Sequence, residues 1–240
     1  MHGEMMFMVD EGVVELEERV AALDTRLRGL ESVARVVLDI RSRQVYSARL
    51  HRAPHDYYDW TLADRAYVST TSSGTSLALL MPPSIVRRKF LQCNVAQLCK
   101  SIIMENVAWK SDMPHVPRFV CVIVQYKAKI NSDKVAKLIR DASTSVKISR
   151  KQVNFQHAPP DTSALLTGFE FNGVSPFGMS TAIPVIVSAP VLELPYIWLG
   201  GGAHDVKLKV SVTQCVQSLS AIAGDVSESR QHAPTTPLQN

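Results

Sequence analysis

A lysine inside an apolar segment is the clearest candidate in this sequence for a catalytic or ligand-binding residue. Lys100 stands in VAQLCKSIIM, among hydrophobic neighbours and at the boundary between two predicted elements. A lysine in such a place commonly lays its aliphatic stem along apolar groups and keeps its ammonium group in water. The alternative is that the ammonium group enters a cleft, where it can bind a phosphate or a carbonyl oxygen. The segment by itself leaves both interpretations open.

The segment TGFEFNGVSPFGM, residues 167–179, has more turn-forming residues than a simple connection between strands needs. Its glycines and proline indicate backbone that turns sharply, either to connect two elements or to meet a ligand. Ser175 invites comparison with the nucleophile of a serine hydrolase. The G-x-S-x-G spacing of that motif would need glycine where Phe177 stands, and Pro176 opposes the turn into a helix. The sequence therefore argues against serine-hydrolase chemistry.

A second glycine-rich stretch, residues 200–202, ends a predicted strand shortly before Asp205. Successive glycines let the backbone approach a ligand and present N–H groups to a phosphate. They also form ordinary hairpin loops. The stretch is neither a Walker loop nor a dinucleotide fingerprint, because no G-K-[ST] and no helix follow it.

The cysteines do not predict a metal site. Cys93, Cys99, Cys121 and Cys215 form no C-x-x-C pair, and no histidine cluster completes a zinc site. Cys99 next to a lysine could be an activated thiolate, but its apolar surroundings favour a buried, inert thiol. We expect no metal ion and no cofactor.

The composition is that of an ordinary globular protein. The chain has 240 residues, of which 46% are hydrophobic and 20% charged, enough for one sizeable domain with an appendage. The net charge of +4 is compatible with binding an RNA end but does not require it. No segment approaches the ~18 apolar residues of a membrane span, and the N-terminus lacks the basic region of a signal peptide. We expect a cytoplasmic protein without membrane contact.

The elements that must position these residues mix strands and helices without a regular β–α repeat, which predicts an α+β fold with a mixed sheet. Strands are predicted in RQVYSARL, RFVCVIVQYKAKI, AIPVIVSAP, PYIWLGGG and DVKLKVSV, and a helix with Ser132 as its N-cap in SDKVAKLIRDAST. VAQLCKSIIMENVAW is predicted to begin as a helix and to become extended. The polar compositions of residues 69–90 and 224–240 predict a flexible insertion and a disordered tail.

Residues 1–43 are predicted to form an N-terminal helix with a seven-residue apolar repeat. Its heptad face consists of Val13, Leu16, Val20, Leu23, Leu27, Leu30, Ala34 and Val37. β-Branched Val13 and Val20 at the first heptad position, with leucine at three of the four fourth positions, favour a parallel two-stranded coiled coil. In such a pair Arg19 and Arg26 would face Asp24 and Glu31 of the partner helix. We therefore expect a homodimer through residues 13–40, and the alternative is an amphipathic helix folded back on its own domain.

Four segments together resemble one protein family. LQCNVAQLCKSIIM, TGFEFNGVSPFGM, IPVIVSAPVLELPYIWLGGG and HDVKLKV occur in the order and approximate spacing of the YbaK / prolyl-tRNA-synthetase-associated domain family. Residues 45–222 are similar to these aminoacyl-tRNA deacylases, which act in trans or as inserted editing domains. The resemblance implies a YbaK-like mixed sheet with surrounding helices and hydrolysis of mischarged tRNA of the Cys- or Ala-tRNA-Pro type. It implies the aminoacylated 3′ end of tRNA, and an aminoacyl-tRNA synthetase, as partners.

The resemblance also implies the site residues. Lys100 matches the family's active-site lysine, and Asp205 matches its acidic residue after the glycine-rich turn; both are expected to be catalytic. Residues 172–176 match the G-x-x-x-P motif, with asparagine in place of its first glycine. The implied substrate-binding residues are Asn172, Gly173, Ser175, Pro176, Gly201, Gly202 and, as counterpart of an N-terminal tyrosine, Tyr58.

Such a site needs no nucleophile of its own, because an aminoacyl ester is already activated and positioning with electrostatic stabilisation can lower the barrier. The alternative is a non-catalytic binding module, tethered to a synthetase or another partner by the N-terminal helix, in which Asn172 marks decay of the motif. The joint presence of Lys100, Gly173, Pro176 and Asp205 favours the enzyme.

Overall fold

The computed structural model describes residues 3–52, 91–204 and 206–229, with the backbone alone for residues 3–13, 51 and 52. The predicted insertion at 69–90, Tyr58 and Asp205 lie outside the described residues, as does the chain beyond residue 229. Among the described residues the helices are α1 Gly3–Ser42, α2 Ser132–Ala142, α3 Pro160–Thr167, α4 Ala189–Leu192 and α5 Val212–Ser218. The strands are β1 Arg49–Arg52, β2 Cys99–Asn106, β3 Phe119–Gln125, β4 Ala128–Ile130, β5 Phe155–His157, β6 Val185–Ser188, β7 Tyr196–Gly200, β8 Val206–Ser211, β9 Ile222–Gly224 and β10 Ser227–Ser229.

The central sheet is mixed, as the sequence predicted. Its strand order is β5-β2-β3-β6-β9. β2 runs antiparallel to both β3 and β5, whereas β3, β6 and β9 run parallel to one another. The central strand β3, FVCVIVQ, is rich in β-branched residues, and its residues 120–125 are buried. A near-continuous apolar run of this kind is expected where a strand is covered on both faces.

Two apolar clusters cover the two faces of this sheet. Alternate residues of a strand point to opposite faces, so Cys121 and Ile123 of β3 belong to one cluster, and Val120 and Val122 to the other. The first cluster fills the space between the central sheet and the antiparallel sheet β1-β8-β7. The second is covered by α2, which buries its i, i+4 pair of apolar side chains.

Three local predictions need correction. The N-cap of α2 is Asn131 rather than Ser132, because the extended Asn131 accepts a hydrogen bond from the backbone N–H of Lys134 at 3.0 Å. Only the end of RQVYSARL is a strand, since the chain before β1 turns. The helix expected to precede Lys100 is a single 3₁₀ turn, Val95–Gln97, so the lysine itself lies within β2.

The disordered tail predicted from residue 224 does not begin there. β9 extends to Gly224, and β10 pairs antiparallel with β4. Val226 between them is fully buried in the second cluster. The sequence concealed this strand because Ser227, Glu228 and Ser229 are polar and only one apolar residue anchors them.

The C-terminal part of α1 is docked on the domain. Val36 and Ile40 enter the first apolar cluster. Arg35 donates hydrogen bonds to the carbonyl oxygen of Gly168 and to the hydroxyl of Ser180. Asp39 accepts a hydrogen bond from the N–H of Gly178 at 2.9 Å. The helix therefore contacts its own domain, but these contact residues are not those of the heptad face.

None of the described helices combines the length and the apolar character that a membrane-spanning helix needs.

Candidate active site

A cavity of about 290 Å³ is lined by residues from three segments that the sequence singled out: the one around Lys100, the segment 167–179 and the glycine run 200–202. Its wall consists of residues 100–103 of β2, the first turns of α3, parts of the segment 169–174, and Gly200 at the end of β7. Lys100 and Asn172, which are 72 positions apart, thus line one space. The structure brings together two of the residues that the sequence singled out.

Lys100 is half-buried and lies opposite Val124 of β3. Its neighbours Cys99 and Ser101 are buried, as the alternation along a strand requires. The lysine belongs to the wall of a cavity, as the second interpretation requires.

The two glycine-rich segments are in direct contact. The N–H of Gly202 donates a hydrogen bond to the carbonyl oxygen of Gly173 at 3.0 Å. A Cβ atom on Gly200 would collide with the backbone carbonyl of Val174 and would lie 3.0 Å from the carbonyl oxygen of Gly173. Glycine at position 200 is therefore required by the close approach of the loop to β7. The glycine run therefore does two things: it makes the turn between the antiparallel strands β7 and β8, and it supports the loop.

Asn172 has a φ of +66°, in the left-handed region that glycine enters freely. Asparagine adopts this conformation more readily than most residues with a side chain. This backbone shape explains how asparagine can stand at the position where the resembled motif has glycine. The residue is exposed and lines the cavity.

Substituting Asn172 tests whether the loop needs the left-handed backbone or the amide side chain. We expect Asn172→Gly to retain both fold and activity, since glycine adopts the same φ. Asn172→Val should lose about 1–2 kcal/mol of stability and part of the activity, because a β-branched residue is strained there. Thermal unfolding of the two variants, and their rates of the deacylation that the resemblance implies, provide the measurement. Loss of activity in Asn172→Gly would instead assign a role to the amide.

The remaining motif residues are buried. Ser175 is fully buried and its hydroxyl accepts a hydrogen bond from the N–H of Phe177 at 3.2 Å. Pro176 is buried as well. Neither residue is among the described residues that line the cavity, and the same holds for Gly173, Gly201 and Gly202. Their placement is that of residues which shape the loop, and their contact with substrate stays a prediction. Tyr58 and Asp205 lie outside the described residues.

Sequence reasoning missed several polar residues of the cavity wall. Ser101 is 6% exposed, and its hydroxyl has no hydrogen-bond partner among the described residues. Leaving such a group unpaired is costly, so a ligand or a water molecule in the cavity is its natural partner. His157 and Tyr126 also line the cavity. The sequence could have indicated Ser101, because this residue directly follows Lys100. It could not have indicated His157, which reaches the cavity through the pairing of β5 with β2.

Cys99, Cys121 and Cys215 are unsuited to nucleophilic chemistry. Burial raises the pKa of Cys99 to about 12, and the negative charge that Cys215 would carry contributes to the same shift. Burial likewise raises the pKa values of Cys121 and Cys215 to about 12. Within the described ranges, no group of three His, Cys, Asp or Glu side chains could hold a metal ion.

We expect the native protein to resist alkylation by iodoacetamide at pH 8. A thiol with a pKa about four units above the pH has roughly one thiolate in ten thousand molecules. The same thiols should react rapidly in denaturant, where burial is lost. Mass spectrometry of Cys99, Cys121 and Cys215 before and after unfolding measures this. Fast modification of Cys99 in the folded protein would contradict the assignment of an inert thiol.

Comparison with known proteins identifies the kind of domain. The sequence profile of the family described as "Aminoacyl-tRNA editing domain" matches residues 87–217, more than half of the chain. The chain belongs to this family. The resemblance seen in the sequence is thus confirmed, and membership supports aminoacyl-tRNA deacylation as the general class of activity. The matched residues include Lys100 and both glycine-rich segments.

Solved structures show the same fold as this editing domain. One is described as a "putative trans-editing enzyme for prolyl tRNA synthetase"; it is 17% identical, with a TM-score of 0.59 over 82% of this chain and 97% of that chain. Another, hypothetical protein APE2540, is 18% identical, with a TM-score of 0.56 over 81% of this chain and 99% of that chain. These similarities confirm the predicted YbaK-like α+β fold.

Proposed function

We propose that this protein hydrolyses the ester of mischarged tRNA in trans, in the cavity lined by Lys100 and Asn172. The observation that carries the proposal is the joint placement of both residues around one cavity in a chain of the editing family. The substrate class we propose is tRNA-Pro carrying cysteine or alanine. The fold shared with a protein described as a trans-editing enzyme for prolyl tRNA synthetase supports this choice. A synthetase is the corresponding partner.

The size of the cavity supports a small amino acid as the group removed. About 290 Å³ lies at the lower end of the range of ligand sites. The walls near the loop are apolar and bulky, with Phe169, Phe171 and Val174. This space suits an aminoacyl group with part of its ribose, while the rest of the tRNA would remain outside.

Lys100 is proposed to act through its charge. When water attacks the ester carbonyl, negative charge develops on the carbonyl oxygen, and a nearby ammonium group stabilises that charge more than the neutral ester. The same group could instead hold the 3′-terminal nucleotide. We do not assign it as a general base, because the ester is already activated and positioning supplies much of the acceleration.

The other residues of the site have supporting roles in this proposal. The backbone at Asn172 and Gly173 shapes the pocket for the amino acid. The unpaired hydroxyl of Ser101 can donate a hydrogen bond to the ester or to the attacking water. Asp205 would orient water, the substrate's α-amino group or Lys100.

The second candidate is a non-catalytic editing-like module that binds a partner. Asn172 was its main support, but the left-handed backbone of this residue preserves the shape that glycine would give. The geometry of the loop therefore favours the enzyme.

A panel of mischarged tRNAs tests the proposal. The protein is incubated with tRNA-Pro charged separately with cysteine, alanine and proline, and the remaining ester is followed over time. We expect release of cysteine or alanine and retention of proline. Absence of release from every charged tRNA, with a folded protein, would support the binding module instead.

A further inference from the structure

The long helix α1 has two functionally different faces. Where it lies against the domain, the contact residues are Gly29, Ser32, Arg35, Val36, Asp39 and Ile40. Counted in heptads from Val13, these residues occupy the second, third, sixth and seventh positions. The heptad face occupies the first and fourth positions, and the sixth position lies on the opposite side of such a helix. Docking on the domain therefore leaves the heptad face exposed from Leu16 to Ala34, whereas Val37 is partly buried.

The heptad face is exposed to a degree that is unusual for apolar side chains. Leu16, Val20, Leu23, Leu27 and Leu30 are between 53% and 63% exposed. They form one continuous stripe along about four helical turns, and a contiguous apolar stripe of this kind marks an interaction surface.

The charges beside this stripe specify the partner. Arg19 and Arg26 occupy the seventh heptad position, and Glu17, Asp24 and Glu31 occupy the fifth. All five residues are exposed. In a parallel pair of identical helices, the seventh position of one helix faces the next fifth position of the other, so Arg19 and Arg26 would face Asp24 and Glu31. In an antiparallel pair the basic positions would face each other, as would the acidic ones, and like charges repel.

An ion pair within the helix does not compete seriously with this arrangement. Asp24 contacts Arg28 at 3.0 Å, but both side chains are more than half exposed. Exposed pairs of this kind contribute little stability, so Asp24 can exchange partners when a second helix approaches.

We propose that α1 joins two copies of this chain in a parallel coiled coil through its heptad face. The arrangement is self-complementary, as a twofold dimer requires. Because each domain lies on the opposite side of its own helix, the two domains flank the coiled coil at the same end without blocking it. This interface is independent of the proposed catalytic function.

The direct test is the mass of the full-length chain in solution. Light scattering after size exclusion should give twice the chain mass of 26.5 kDa for the wild type. A basic-to-acidic variant, Arg19→Glu with Arg26→Glu, makes both flanking positions acidic. An acidic-to-basic variant, Asp24→Lys with Glu31→Lys, makes the same flanks mainly basic. Each variant alone should dissociate, with a dissociation constant at least about tenfold above that of the wild type.

Mixing the two variants separates loss of pairing from loss of folding. The acidic helix of one variant and the basic helix of the other are complementary, so the mixture should recover the dimer mass. Recovery is incompatible with a simple folding defect. A wild type that stays monomeric up to its solubility limit would overturn the proposal, and so would charge variants that stay as dimeric as the wild type.

A cysteine at the N-terminal end of the stripe tests the orientation. In a parallel pair, Leu16→Cys lies next to its own counterpart and should form an interchain disulfide on mild oxidation. The four native cysteines are buried and do not interfere. In an antiparallel pair residue 16 lies far from its counterpart, so a dimer that fails to cross-link would contradict the parallel arrangement.

Discussion

Replacing Lys100 with alanine should lower the rate of deacylation by about 10²–10³-fold, the usual consequence of removing one group that stabilises developing charge. The lysine lies on β2 and lines the cavity together with Asn172. If the ammonium group acts mainly on the transition state, the loss should appear in kcat. If it mainly anchors the 3′ end of the tRNA, KM should rise instead. Single-turnover kinetics with mischarged tRNA-Pro distinguishes the two.

Two further variants control this experiment. Lys100→Arg keeps the charge but changes its geometry and should recover only part of the activity. Lys129→Ala removes an equal charge from an exposed position on β4 and should leave the rate unchanged. If the wild type hydrolyses mischarged tRNA and Lys100→Ala is equally active, the proposed deacylase activity stands. In that case our assignment of Lys100 to the active site is wrong.

Replacing Gly200 with alanine should damage the cavity through its supporting backbone. The added Cβ would collide with the carbonyl of Val174, which is backbone and cannot rotate away. The loop must therefore move from β7, and a displacement of about 1 Å at a reacting centre can cost as much as 100-fold in rate. Overpacking of this kind also costs about 1–3 kcal/mol of stability. Deacylation rates and Tm of the variant measure both effects.

Gly29→Ala is the matched control for this substitution. A Cβ on Gly29 would lie 3.9 Å from the side chain of Ala203, an ordinary contact. Alanine is favoured over glycine in a helix by about 1 kcal/mol, so this variant should keep its activity and unfold at a slightly higher temperature. Equal behaviour of the two glycine variants would mean that the close contact at Gly200 does not support the cavity.

The sequence identified segments that the fold brings together, but not their local geometry. Lys100 and the segment at 172–176 were identified from a resemblance of several motifs, and the structure places Lys100 and Asn172 around one cavity. Ser101 and His157 were missed, because the side of a strand and the pairing of β5 with β2 are properties of the folded chain. Ser175 and Pro176 show the converse, since membership of a motif does not reveal whether a residue contacts substrate or supports the loop.

The class of fold was predictable from local sequence patterns, but the order of the strands was not. Mixed strands and helices without a regular repeat predict a mixed sheet, whereas strand order depends on contacts between distant segments. The apolar repeat of α1 indicated its heptad face. It gave no indication of the second face, because polar Ser32, Arg35 and Asp39 carry much of that docking through hydrogen bonds and backbone contacts.

The helix α1 lies outside residues 87–217, which match the editing family, yet it packs closely against two glycines of that matched region. A Cβ on Gly178 would lie 2.7 Å from the backbone of Arg35, and one on Gly202 would lie 2.8 Å from the carbonyl oxygen of Ser32. Gly178 belongs to the segment 167–179, which contributes to the cavity wall. Gly202 belongs to the second glycine segment, and its N–H donates a hydrogen bond to the carbonyl oxygen of Gly173. A shortened chain that begins after α1 would retain every residue matched by the editing family and yet lack the support that α1 gives to the segment 167–179 in the cavity wall. Its inactivity would therefore reveal nothing about the catalytic power of the whole protein.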